Sequence, residues 1–146
     1  MLANTRGIVL NYVKYRETSI ITKIYTEAFG VLSFIENGVR SAKSKQKIAL
    51  FQPLTLLDLV VYHKAGKDIQ RLAELKCNQP YQAMPYQIAK SSVGIFLVEI
   101  LGKTLREEDA NAALFDFLWE SLLWFDAVAT HFENFHLQFL LQLSGF

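Results

Sequence analysis

The hydrophobic period of this chain changes once along its length, and that change limits its possible folds more than any other feature. In the front part, apolar residues alternate in short β-branched and aromatic runs: "GIVLNYVKY", "SIITKIYTE", "VLSFIEN", "LTLLDLVVYH" and "IQRLAEL". A period of two with this composition predicts five strands. The segments "YRETS", "EAFG" and "KAGKD" supply turns. Pro53 stands just before the fourth run, where its missing amide removes no ladder hydrogen bond. Between the third and fourth runs, "SAKSKQKIALFQ" predicts a short helix with Ile48, Leu50 and Phe51 turned inward. Five strands with a helical connection between the third and fourth is the order of an OB-fold barrel. An SH3-like barrel or a small open sheet is compatible with the same runs.

The back part follows a helical period. "PYQIAKSSVGIFLVEILGKTL" spaces Ile88, Val93, Phe96, Leu97, Ile100 and Leu101 for one helix. Asn111 is placed to cap a second helix, along which Leu114, Phe117, Leu118, Ser121, Leu122, Phe125 and Val128 trace a stripe. Leu137, Leu140, Leu141 and Ser144 share a face of a third. "CNQPYQAMPYQ", with Pro80 and Pro85, reads as the hinge. The expected organisation is therefore α+β in two parts, an OB-fold barrel over 1–79 and a helical domain over 80–146. The second helix is apolar on more than one face, through residues such as Phe115 and Trp119, which predicts a second partner: a further C-terminal segment or another protein. The apolar close at "LSGF" carries the expectation that the parent chain continues past Phe146.

With 146 residues, 51% of them hydrophobic and 20% charged, the chain has globular composition and can bury a core without cross-links. Its single cysteine, Cys77, forms no internal disulfide and fits a reducing compartment. The first apolar run is too short for a secretory h-region, and "VGIFLVEILG" is too short to span a bilayer, so a soluble cytoplasmic protein is expected. The net charge of +1 hides an asymmetry: twelve Lys/Arg face six Asp/Glu up to Lys76, and three face eight from Cys77 on, which is +6 against −5. A basic front half suggests a polyanionic partner.

Signals of catalysis are missing. The seven glycines form no phosphate-binding loop. His63, His131 and His136 do not take the spacing of a metal motif, and Ser91 and Ser92 have no histidine partner in a recognisable setting. Glu107, Glu108 and Asp109 read as a solvated helix start favoured by the helix dipole. The expectation is a non-enzyme without metal or cofactor. Most of the helical-half aromatics read as core.

The positive charge is concentrated in "VRSAKSKQK", which holds Arg40, Lys43, Lys45 and Lys47 and no acid. A solvated loop is the plain reading. In an OB-fold, however, the first-to-second and fourth-to-fifth loops border the oligonucleotide face. Here these carry Lys14 with Arg16, and Lys64 with Lys67. Tyr12, Tyr15, Tyr25, Phe34 and Tyr62 add rings in the same half. Phosphate neutralisation combined with base stacking holds single strands without sequence preference. The eight cations Arg40, Lys43, Lys45, Lys47, Lys14, Arg16, Lys64 and Lys67 are the candidate DNA contacts. The rival is a protein-interaction module whose lysines grip an acidic peptide.

Several motifs in order resemble the RecO family of bacterial DNA repair and recombination mediators. They are the opening "RGIVL", Tyr15-x-Glu17-x-Ser19, Thr26-Glu27 with Gly30, Gly38-x-Arg40 with Lys43 and Ser44, and "QPLTLL" from Gln52 to Leu57. The similarity extends more loosely through the helical half. It implies an N-terminal OB-fold joined to a helical domain, binding of single- and double-stranded DNA, strand annealing, and help in loading recombinase onto DNA coated by single-strand-binding protein. It implies RecR and the acidic tail of single-strand-binding protein as partners, and matches Arg40 and Lys43 to family basic positions. Asn37 and Ser41 depart from it, standing where basic residues are common, with Lys45 and Lys47 available to supply the charge. Many members carry a later cysteine cluster for zinc, which nothing in these 146 residues supports.

Overall fold

The computed structural model describes residues 2–40, 45–105, 109–128 and 135–146, with the backbone alone at 45, 46 and 137. Five strands, β1 (Leu2–Tyr15), β2 (Ser19–Thr26), β3 (Gly30–Glu36), β4 (Leu56–Tyr62) and β5 (Ile69–Lys76), precede three helices, and a short helix α1 (Lys45–Ala49) joins β3 to β4. The strands close into a barrel in the order β1-β2-β3-β5-β4. Every pairing is antiparallel except β3–β5, which closes the barrel in parallel through Ser33–Ile69 and Phe34–Gln70. This is an OB-fold followed by a helical domain, as the order of the runs predicts.

Alternation builds the barrel interior. Val9, Ile24, Phe34, Leu57, Leu59 and Val61 fill it, and Ile20, Val39 and Phe51 close one end. Ile48 and Leu50 pack against these groups, so the connection between β3 and β4 turns inward the residues its sequence indicates. Space inside is tight at Gly7, where a Cβ would lie 2.6 Å from Ile24 Cγ2 and 2.8 Å from Leu59 Cδ1. The register of β1 against β2 breaks between Val9 and Asn11. Such a bulge changes which residues face outward. Ile8 before it and Leu10 within it lie in the core shared with the helices; after it, Asn11 and Val13 are exposed.

Helix α2 spans Ile88–Thr104, α3 Ala112–Ala127 and α4 Phe135–Leu143. The Asn111 side chain accepts a hydrogen bond from the Leu114 amide at 3.1 Å, the expected cap. Along α3 the expected stripe is buried at Leu114, Leu118, Leu122 and Phe125, and a second stripe is buried at Phe115, Trp119 and Asp126. The expectation of an outside partner for that second face is overturned. The chain's own barrel covers it, with the Phe115 ring 5.6 Å from that of Tyr25 on β2. On α4 the core face is Phe135, Phe139 and Leu143, whereas Leu141 is exposed, because stacking of Phe135 on Phe125 (4.4 Å) and Phe139 on Phe117 (5.3 Å) sets the helix rotation. Ile88, at the first turn of α2, is also exposed rather than packed.

Polar groups tie the hinge, α2 and the end of α3 together, and one of them leads from the hinge to the turn before β4. The Asp126 carboxylate accepts from the amides of Gln82, Ala83 and Met84 at 2.7–2.9 Å, fixing the hinge to the end of α3. Lys90, only 1% exposed, donates to the Asp126 carbonyl at 2.9 Å and to that of Val128, serving carbonyls that the end of α3 leaves open. The Tyr81 hydroxyl donates to the Leu54 carbonyl. Leu54 itself has a φ of 73°, a left-handed conformation that costs a side-chain-bearing residue about 1 kcal/mol or more. Its amide is held by Val9 O at 2.7 Å.

Candidate nucleic-acid interface

Two parts of the barrel exterior differ in what covers them. Ile8, Leu10, Tyr25 and Leu56 lie beneath the helices in one continuous core with Leu97, Leu101, Phe115 and Trp119. Arg6 fastens this seam. Its guanidinium donates to Glu27 through Nε (3.1 Å) and Nη2 (2.8 Å), donates to Asp116 on α3 (2.7 Å), and lies 4.8 Å from the Trp119 ring centre. Hydrogen bonding to Glu27 pushes the guanidinium pKa up, against the opposing effect of burial, and Asp116 adds to the rise.

Among the described residues, another part of the exterior is left uncovered by the helices. Val13 on β1 faces Ile21 on β2, which faces Ile35 on β3; beside this row, Asn11 faces Lys23, which faces Ser33, which faces Ile69 on β5. Ile35 also lines a shallow depression with Tyr62, Lys64, Lys67, Ile69, Gln70 and Arg71. Tyr62 is 49% exposed and Val13 60%. An apolar, ring-bearing strip thus crosses β1, β2 and β3 and ends among three cations.

The eight cations expected from the sequence fall into different settings. Lys64 and Lys67 are exposed and line the depression. Lys14 and Arg16 are exposed at the β1–β2 turn, at the other margin of the strip, with the Arg16 guanidinium 5.0 Å from the Tyr15 ring centre. Arg40 is half-buried: Nε donates to the Ser19 carbonyl at 3.0 Å and Nη2 to that of Arg16, so it braces that turn and presents fewer of its donors outward. Lys47 pairs with the buried Glu36 at 3.1 Å. Lys43 and the Lys45 side chain lie outside the described residues, as do Glu107, Glu108 and His131.

Two of the rings expected to serve stacking do not reach the surface. Tyr25 and Phe34 are fully buried for different reasons: alternation turns Phe34 into the barrel, whereas Tyr25 faces outward and is covered by α3. Tyr62 is the ring at the depression. Sequence reading missed Lys23 and Arg71; their signal is strand alternation, which places a lone cation between inward Thr22 and Ile24, and another after inward Gln70. Among the described residues, no group of three or more His, Cys, Asp or Glu side chains is arranged to hold a metal ion, and no helix is long and apolar enough to cross a membrane.

Comparison with known proteins matches residues 1–81 to the family described as "Recombination protein O N terminal" and residues 85–146 to "Recombination protein O C terminal". The chain belongs to the RecO family. It is 42% identical over 146 residues to the DNA repair protein RecO of Bacteroides fragilis, covering all of this chain and 60% of the relative. It is 41% identical to that of Phocaeicola vulgatus and 39% to that of Flavobacterium psychrophilum, again over all of this chain and 61% of each relative. The chain thus spans about three fifths of the length of these relatives. Several motif residues that resemble RecO build turns here. Thr26 Oγ1 donates to the Gly30 carbonyl at 2.7 Å and accepts from the Phe29 amide at 3.1 Å, while Gly30 and Gly38 take φ values of 76° and 74°. Glu27 is the partner of Arg6. These RecO-like motifs therefore carry the barrel's geometry.

Proposed function

We propose that this protein is a non-enzymatic DNA repair and recombination mediator whose barrel binds DNA, above all single strands, along the open strip. The observation that carries this reading is the meeting of Lys64, Lys67 and Arg71 with Tyr62, Ile35 and Ile69 at one depression on the uncovered barrel face. Cations at the rim neutralise phosphates, and a half-exposed ring on an apolar floor offers a base a stacking surface. Lys23 lies within the strip, and Lys14 and Arg16 extend the charge to its far end. Family membership supports strand annealing, the loading of recombinase on coated DNA, and RecR and the tail of single-strand-binding protein as partners.

The same depression favours a second reading, an acidic peptide ending in an aromatic residue, because rim cations and an apolar floor suit that ligand as well. One experiment separates the two. Replacing Lys64, Lys67 and Arg71 together with alanine is expected to weaken binding of labelled oligo-dT and to lower the log–log salt slope by up to roughly 2, at about 0.7 for each phosphate contact on a single strand. An unchanged salt slope in the folded variant, with loss of acidic-peptide binding, selects the second reading.

A further inference from the structure

The β4–β5 loop is tied shut from beneath by one uncharged side chain. Gln70, the second residue of β5, is 4% exposed. Its Oε1 accepts from the Lys64 amide at 2.9 Å, and its Nε2 donates to the carbonyls of Lys64 at 2.9 Å and Lys67 at 3.0 Å. The orientation of the amide is forced, since the Lys64 N–H requires an oxygen and the two carbonyls require an NH2 group. Gly66, at a φ of 82°, allows the chain to reverse between the two lysines. Both ends of "KAGK" are therefore fixed to β5 by a group that has lost its own freedom inside the barrel wall. Phe34, fully buried, is the cross-strand partner of Gln70 and links the clamp to the strand that carries Ile35.

We infer that Gln70 is a positioning residue for anion binding: it holds the backbone of Lys64 and Lys67 at a fixed separation, so that both ammonium groups approach neighbouring phosphates without first ordering the loop. This rests on the reading of the depression as a DNA site. Preorganisation acts by removing the ordering that binding would otherwise demand. A glutamine serves better here than a charged residue. A carboxylate would repel both carbonyls and the incoming phosphate, and an ammonium could not accept from the Lys64 amide.

The test is a double-mutant cycle on the full chain, with affinity for labelled oligo-dT measured by anisotropy at several salt concentrations. Gln70→Leu keeps the buried volume and every charge while releasing the loop. It is expected to weaken binding about fivefold in the parent, and to have no further effect where Lys64 and Lys67 are already alanine. A second variant inserts two glycines beside Gly66, where a side-chain methyl would meet nothing within 4 Å, and leaves Gln70 packed. It is expected to give the same loss and the same lack of effect in the alanine background. Equal losses in both backgrounds, or no loss from the glycine insertion, overturn the positioning role while the DNA reading stands. If the Lys64/Lys67 alanine variant itself binds with unchanged affinity and salt slope, the DNA reading of this loop fails and the positioning role falls with it.

Discussion

Strand β1 crosses two surfaces, and residues at and beyond its register break meet opposite fates. Leu10 is 3% exposed beneath the helices, and Val13, three positions on, is 60% exposed on the open strip. Both are aliphatic and both face away from the barrel interior. Hydropathy does not separate them; the helical layer covers one and stops short of the other. Aliphatic residues on one barrel exterior are thus divided into a covered set and an open set by where a second layer ends.

Placing the same charge on each side tests that division. Leu10→Glu buries a carboxylate without a partner and is expected to lower stability by about 5 kcal/mol, enough to unfold the chain. Urea denaturation and circular dichroism read it directly. Next in size, Phe115→Ala removes a ring at the seam between α3 and β2 and is expected to lower stability by about 3 kcal/mol or more, measured by the urea midpoint. A loss below about 1 kcal/mol there means that the seam is loose and that the covered half is not a true core.

Smaller effects sharpen the boundary. Tyr81→Phe removes the hydroxyl that serves the Leu54 carbonyl and is expected to lower stability by about 1 kcal/mol at neutral pH. Burial, and after it the Asp126 charge, pushes the Tyr81 pKa well above its usual value. A group whose pKa is raised on folding contributes fully below its unfolded pKa, near 10 for tyrosine, and loses that contribution as pH rises beyond it. The parent's advantage over Tyr81→Phe is therefore expected to shrink above about pH 10. Smallest in stability is Val13→Glu, expected within about 0.5 kcal/mol. It nevertheless sets a carboxylate in the strip, and oligo-dT affinity is expected to fall while the thermal midpoint holds.

Much of this architecture was legible because period reports on burial. The five strands and the two-sided apolar character of α3 follow from spacing alone, as does the Asn111 cap from residue type and place. What covers the second face of α3 was not legible, since an apolar stripe records that it needs a partner and not which one. On α4, spacing selected Leu137, Leu140 and Leu141, but stacking among Phe117, Phe125, Phe135 and Phe139 rotates the helix away from Leu141. At the candidate interface, the basic loops could be read from charge and fold order. The bracing of Arg40 by backbone carbonyls, the pairing of Lys47 with Glu36 and the clamp at Gln70 could not, because each joins residues that are distant in sequence or polar in a way composition does not distinguish.

The core that Ile8, Leu10, Tyr25 and Leu56 share with the helices has a consequence for cooperativity. Strand boundaries and family boundaries both invite a cut near the prolines at 80 and 85, yet such a cut would open a hydrophobic interface on each product. A barrel released by proteolysis there is expected to associate through its bared strands, and any binding assay on it would then report on an aggregate. The covalent hinge is therefore not expected to be a thermodynamic one: with a core in common, the barrel and the helices are expected to melt in one transition, with matching midpoints from a probe in each.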